Sequence, residues 1–413
     1  MSICNDVIAQ SLHRGADECE SVFCAKRTIT VRITDSEISE IKESYDKSIG
    51  IRLIKDRKIS SAQSNVLDSK KIVEEAFHGI SKLSRREFWK MFPSETKFKT
   101  LEKTNDYKIW KIDTIKASEL AQSMIDATLH KKITRVSGSL NITCDEFEVS
   151  NTTGLHRSEK SSYISGLINA DSEIAGSVSG LGQLNSRTFD LFDPQKVGHD
   201  AKEMCIKSIN PETAESKITS IIFEPHAVGE LLYFVLGPNF HLKTFSEARS
   251  CFTKIGSKIS TELLSLIDDP HVPNSLGAKS FDDEGVSTEQ RYFIRDGIFE
   301  ETYSDTYTAQ KENRVTSGNA CRFGVPLGRS TDPIPVSAPH NLTIVSGNQT
   351  HEEIIKNTND GILVGRLWYT YPVNPLRGDF SCTARSGIFQ IKNGQITPIK
   401  SIRIIHNLLT MLE

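Results

Sequence analysis

Two side chains with metal-binding chemistry, His226 and Glu230, stand four residues apart, the spacing that puts an imidazole and a carboxylate on one face of a helix. Two ligands without a third are weak evidence for a metal, and the spacing reads more simply as a surface pair or a polar cluster at a helix start. The run Asp282-Asp283-Glu284 before Gly285 offers three carboxylates, which suit either a divalent cation or a turn whose carboxylates accept backbone N–H bonds. The turn is the preferred reading. His-Glu occurs only at His351-Glu352, with no histidine four or five residues later. His241 and His271 fall on no ligand spacing and read as solvated loop residues. The eight cysteines are Cys4, Cys19, Cys24, Cys144, Cys205, Cys251, Cys321 and Cys382. No two have the C-x2-C spacing of a shared tetrahedral metal, and reduced, buried thiols are the plain expectation. A Walker A loop, a G-x-G-x-x-G turn and a G-x-S-x-G elbow are all missing, so nucleotide binding and serine hydrolysis lose their usual footholds.

The 413 residues are 37% hydrophobic and 25% charged, with 50 basic and 53 acidic side chains for a net charge of -3. That length predicts two or three domains, each able to bury a core. The balance argues against a protein that coats nucleic acid or an anionic membrane. No apolar run approaches the roughly 18–20 residues of a membrane span; the best is 231–236, closed by Gly237-Pro238. The first twenty residues lack the basic and apolar regions of a signal peptide, so the sequence predicts a cytoplasmic protein, and the sequons at Asn141, Asn151, Asn341 and Asn348 read as chance.

The elements that must position these residues follow from periodicity and turn chemistry. Residues 1–25 read as a loose leader. Alternation predicts a strand over 27–33, and 50–54 with 58–62 flank Asp56-Arg57 as a hairpin. Asp68 caps a helix with Ile72, Val73, Ala76, Phe77 and Ile80 on one face, and Ser118 caps another carrying Leu120, Met124, Ala127 and Leu129. Short strands are predicted over 133–191, with a turn at 151–154 and a Gly/Ser-rich stretch at 176–182. Asp193-Pro194 opens a further helix. The polar segment 210–216 is the candidate boundary. Beyond it the pattern predicts a strand at 217–223, a helix at 226–236, a longer helix near 246–266, and turn- and strand-rich chain to the end. The fold class is α+β: an N-terminal mixed α/β region over 26–210, then a β-rich C-terminal domain over 217–413.

Several segments in order resemble the TldD/PmbA (TldE) family of metallopeptidase-related proteins. They are Gly50-Ile51-Arg52-Leu53-Ile54 through Ser64-Asn65, Asn151-Thr152-Thr153-Gly154-Leu155, and Asp268-Asp269-Pro270 with Phe281-Asp282-Asp283-Glu284-Gly285-Val286. Thr316-Ser317-Gly318-Asn319-Ala320-Cys321-Arg322, Gly378-Asp379-Phe380-Ser381 and Asn393-Gly394-Gln395-Ile396-Thr397-Pro398 complete the series. In that family the TldD branch carries H-E-x-x-x-H on a helix, with two histidines on zinc and the glutamate as general base. The PmbA/TldE branch shares the fold, lacks the element and pairs with TldD. The family is associated with degradation of unfolded peptides, with peptide-antibiotic maturation and with modulation of DNA gyrase. Set against the family's HEAVGH form, Pro225 falls at the first histidine, His226 at the glutamate and Glu230 at the second histidine. Cys382 falls near the family's C-terminal functional cysteine and reads as a buried thiol.

The resemblance therefore implies a non-catalytic PmbA/TldE-like subunit without its own cofactor, in a heterodimer with a TldD-like, zinc-holding partner and meeting a peptide substrate. It implies no membrane and no direct nucleic-acid role. Asp282, Asp283, Glu284, Gly285, Ser317, Gly318 and Asn319 would form a structural or substrate-contact motif. Its rivals are an active metallopeptidase with a diverged metal site and a gyrase-modulator type of binding protein without proteolysis.

Overall fold

The computed structural model describes residues 2–413. Its first half is built on one antiparallel sheet of six strands in the order β3-β2-β1-β4-β5-β6. These are β1 (Glu18–Thr34), β2 (Glu37–Lys55), β3 (Lys58–Ser64), β4 (Arg135–Asn151), β5 (His156–Ser172) and β6 (Val178–Ser186). The 50–62 hairpin is the β2–β3 turn, where Asp56 and Arg57 both take positive φ, 51° and 60°, the twist-matching geometry of a two-residue hairpin. Strands β4 and β5 run 17 residues each, longer than the short strands predicted over 133–191. Ser, Asn and Gly within them pair across the sheet and interrupt only the apolar alternation.

Helices cover this sheet. α1 (Ile3–His13) and α2 (Ser69–Phe77) share a core with Cys19, Ile49, Ile51 and Leu53. Residues 2–25 are therefore not a loose leader, Met1 lying outside the described residues: Ser2 caps α1, whose Cys4 and Val7 are buried, and β1 begins at Glu18. The sparse apolar pattern of α1 hid it. Asp68 caps α2 as expected, accepting from the N–H groups of Lys70 and Lys71. After the short α3 (Tyr107–Trp110), α4 (Thr114–Thr128) is capped five residues before Ser118, by Asp113 accepting from Lys116 N–H. α5 (Pro194–Lys207) has the predicted Asp193 cap and Pro at its first turn. Both α4 and α5 pack over Val136, Leu140, Ile164 and Ile168. Much of the Gly/Ser-rich stretch is strand β6, and a side chain on Gly182 would meet the Val197 carbonyl of α5. The glycine lets helix and strand backbones touch.

The second half has a sheet ordered β16-β15-β14-β7, with β17 pairing β15 beyond β16. Its strands are β7 (Ser220–Phe223), parallel to β14 (Asp360–Asn374), then β15 (Asp379–Lys392), β16 (Gln395–Pro398) and β17 (Ile402–Asn407). A smaller antiparallel sheet joins β8 (Leu266–Asp268), β9 (Arg291–Arg295), β10 (Ile298–Phe299) and β13 (Leu342–Ile344). β11 (Ala320–Cys321) and β12 (Val336–Ser337) form a ribbon. The core between them holds Phe240 stacked on Phe293 at 5.3 Å, with Phe252 and Phe299 close by. α6 (Pro225–Leu231) continues as a wider π turn over Leu232–Leu236, then tightens through Gly237–Phe240.

The long helix expected near 246–266 does not form. A short helix, Leu242–Ser246, ends there; Ala248 turns to φ 51°, and Asn239 Oδ1 captures Cys251 N–H at 3.0 Å. Phe252, Ile255, Ile259 and Leu264 mimic helical spacing yet reach the core from irregular chain. No described helix is long and apolar enough to cross a membrane.

Candidate functional site

β7 delivers the chain to α6. Its parallel ladder with β14 ends as Glu224 N–H donates to Val364 O at 2.9 Å, and Pro225 then takes the first helical position. Ala227 and Leu231 point into the core, which leaves Pro225 exposed and His226 and Glu230 half-buried. Burial pulls the His226 pKa down from the ordinary imidazole value, and Arg366 on β14 pulls it further, while Glu224 opposes them. Glu224 accepts from or pairs with His351 Nε2 at 2.7 Å. Arg366 is itself pulled below arginine's usual value by burial, partly restored by Glu230 and repelled by Arg385. Cys382 on β15 is buried, and its thiol is pushed up to about 12 by burial and by Glu230.

These residues do not fit a zinc ion. Pro225 offers no donor atom, and the positive charge at this position is Arg366, which repels a cation. Among the described residues no group of three or more His, Cys, Asp and Glu is arranged to hold a metal.

The acidic turn is a second, quite different place. Asp282 Oδ1 accepts from Glu284 N–H at 3.0 Å and Val286 N–H at 2.9 Å, and its Oδ2 from Ala320 N–H at 3.0 Å, around a left-handed Gly285 at φ 84°. Burial and the neighbouring Glu284 push the Asp282 carboxyl well above the usual carboxylate range. Asp283 and Glu284 meet cations instead of N–H groups alone. Asp283 lies 2.9 Å from both Lys279 Nζ and Arg329 Nε, and against the upward push of burial these two hold its pKa down to about 2. Glu284 accepts from Arg52 Nη2 at 2.5 Å and from Thr306 N–H at 2.8 Å. Glu20 accepts from Arg52 at 3.1 Å and from Arg322 at 2.5 Å, and Arg329 reaches Glu159 at 2.7 Å. Glu20, Arg52 and Glu159 lie on the first sheet, so this buried network fastens the two halves of the chain together.

Ser317, Gly318 and Asn319 form an adjoining knot. Ser317 Oγ accepts from Ser304 N–H and donates to Asn319 Oδ1, both at 2.7 Å. Asn319 Nδ2 donates to Asp268 Oδ2 at 2.8 Å, and the Gly318 carbonyl lies 2.7 Å from His340 Nε2. These side chains are buried and bonded to one another. Two of the histidines set aside are not solvated loops either: His241 stacks on Tyr303 at 5.3 Å, and His271 Nε2 lies 3.3 Å from Thr288 Oγ1. Both positions were hidden because their partners lie on other segments. The roles of Arg52, Arg322, Arg329 and Glu20 were hidden for the same reason, whereas Lys279, four residues before Asp283, is a local partner that the spacing could have shown. Hidden too were Arg366 and Arg385, whose only local signal is the alternation of Arg366 with Trp368 on β14.

The family models for the PmbA/TldA metallopeptidase match in three segments: domain 1 at residues 19–80, the central domain at 107–209 and the C-terminal domain at 216–413. An uncharacterised protein of Methanocaldococcus jannaschii is 24% identical over 385 residues, 93% of this chain and 87% of that one. The metalloprotease PmbA of Escherichia coli is 26% identical over 223 residues, 54% of this chain but 45% of the relative, so the match spans about half the length of that protein. Among solved structures, TldE from Thermococcus kodakarensis superposes with a TM-score of 0.88 at 23% identity, covering 100% of this chain and 93% of that one. A Thermotoga maritima protein described as a candidate modulator of a DNA gyrase gives 0.86 at 20% identity, covering 99% and 92%. With its fold, its ordered motifs and all three family segments in agreement, the chain belongs to the TldD/PmbA family of metallopeptidase-related proteins.

Proposed function

We propose that this chain is the PmbA/TldE-like, non-catalytic subunit of a TldD-type zinc metallopeptidase complex that degrades unfolded or small peptides. The observation that carries the reading is the replacement at α6: a family scaffold is retained while Pro225, His226 and Glu230 occupy the ligand and base positions beside the cationic Arg366. Zinc and the general base then reside in a TldD-like partner. This chain contributes a wall of the peptide chamber and holds an extended peptide by strand addition at a sheet edge such as β7. Eight unpaired, buried cysteines support a reducing, cytoplasmic location.

The test is peptidase activity of the chain alone, of a TldD-type partner alone, and of both together, with zinc measured in each. Activity that needs both chains, with zinc in the partner only, is the expected result. Stoichiometric zinc and peptide cleavage by this chain alone, both lost in His226→Ala or Glu230→Ala, would falsify the reading and favour a diverged active enzyme.

A further inference from the structure

On strands β14 and β15 of the C-terminal sheet, two guanidinium groups gather around one indole. Arg385 Cζ lies 3.7 Å from the Trp368 ring centroid and Arg366 Cζ lies 5.8 Å from it. Trp368 is stacked on Tyr369 at 5.4 Å with only 10° between the rings, and both rings are exposed, Tyr369 by 68%. A break in the β14–β15 register between Trp368 and Tyr371, with Tyr369 at φ 49°, turns this aromatic pair outward. Among the described residues no carboxylate lies within ion-pair distance of Arg366 or Arg385. Glu230 acts on Arg366 from further away.

Two like charges held about one ring without an acid in contact cost stability, and neither arginine belongs to the apolar core, which takes Leu367 and Ala384 from the same two strands. A guanidinium held over an indole face keeps N–H groups free and only partly hydrated, a state in which arginine receives a carboxylate well. We infer that Arg366 and Arg385, arranged about Trp368, form a receiving site for the carboxylate of a peptide, with the Trp368–Tyr369 pair as the platform for its neighbouring residues. The positive charge sits beside α6, so a carboxylate bound there lies against the helix that carries His226 and Glu230. That the carboxylate belongs to a peptide rests on the proposed function; that the arginine pair takes a carboxylate does not.

Binding to the full-length chain, followed by calorimetry, tests this with four hexapeptides of otherwise equal sequence. One has a free C-terminus, one an amidated C-terminus, and two carry a central Glu or Gln with the C-terminus amidated. A small N-acetylglutamate probe and a single-stranded oligonucleotide complete the set. The expected result is at least about tenfold tighter binding of a carboxylate peptide than its amide counterpart. That preference should vanish in Arg366→Gln and Arg385→Gln, both checked for cooperative thermal unfolding at no lower temperature than the unaltered chain. The free C-terminus and the central Glu show which carboxylate is used. Equal binding of acid and amide peptides overturns the inference and leaves the peptide-subunit reading standing. Arginine-dependent binding of N-acetylglutamate with no binding of any peptide keeps the carboxylate site and removes the peptide reading. Preference for the oligonucleotide, lost in Arg385→Gln, overturns the inference in favour of nucleic acid, and binding of no probe overturns it outright.

Discussion

Arg52 Nη2 lies 2.5 Å from Glu284 Oε1, both side chains fully buried, so that β2 of the first sheet is bonded to the acidic turn 232 residues later in the chain. Arg52 also holds Glu20 at 3.1 Å, and its guanidinium lies 5.0 Å from the Phe92 ring centroid. Removing that cation leaves the buried Glu284 with the Thr306 N–H as its remaining hydrogen bond, while Glu20 keeps Arg322. Arg52→Met should therefore destabilise the protein by about 3–5 kcal/mol, the range for breaking one side of a buried ion pair. Urea unfolding would check it. A loss below ~1 kcal/mol would mean that solvent reaches the network and that the halves are held by apolar contacts instead.

Acid should loosen the same junction through Asp283. Its pKa of about 2 in the folded protein lies below that of an ordinary aspartate, because Lys279 and Arg329 outweigh burial. A depressed carboxylate contributes stability that is present in full above the unfolded pKa and is lost as pH falls through the folded one. For Asp283 that window runs from roughly pH 4 down to roughly pH 2. Asp282 has the opposite sign: raised by burial and Glu284, it costs stability as pH rises through its folded value. Asp283→Asn should lower stability at neutral pH and flatten the acid limb between about pH 4 and pH 2. Equilibrium unfolding of both proteins across that range measures the two slopes. Parallel limbs would show that Asp283 is not held ionised by its cations.

The start of α4 separates two caps by a simple pair of substitutions. Asp113 Oδ1 accepts from Lys116 N–H at 2.7 Å, whereas Ser118 lies inside the first turns of the helix. Asp113→Ala should cost about 1 kcal/mol and Ser118→Ala less than about 0.5 kcal/mol. Thermal unfolding of the two variants decides it, and the reverse order would place the helix start at the later residue.

Local chemistry in the sequence carried the elements whose signals are local. The Asp68 and Asp193-Pro194 caps, the Asp56-Arg57 hairpin and the β-rich C-terminal half all depend on neighbours within a few residues. The helix expected over 246–266 failed because Asn239 ties down Cys251 from outside that window. In the same way, Asp282 served as a turn-former as its setting before Gly285 implied, but Asp283 and Glu284 did not. Apart from Lys279, four residues before Asp283, their cations lie on other segments: Arg52 is 232 residues from Glu284, and Arg329 comes from a later loop. Pairing across such distances leaves no periodic trace. The arginine pair about Trp368 was hidden for a related reason, since cross-strand register brings Arg385 to it.

The substituted helix α6 can be tested by putting the family's ligands back. Pro225→His, His226→Glu and Glu230→His together restore H-E-x-x-x-H in a stretch that is already helical, with Cys382 on the adjoining strand. The scaffold should accept them, because Ala227 and Leu231, which hold α6 to the core, are untouched. Zinc should still bind poorly. Arg366 remains, and its positive charge, close enough to lower the His226 pKa, opposes a divalent cation at the same place. Adding Arg366→Gln to the triple variant removes that repulsion and should tighten zinc by at least about tenfold, read by competition with a chelating dye. The triple variant alone should gain little over the unaltered chain. If it binds zinc as tightly as the quadruple variant, Arg366 is not what keeps a metal from this position, and the proline and glutamate substitutions alone account for the misfit.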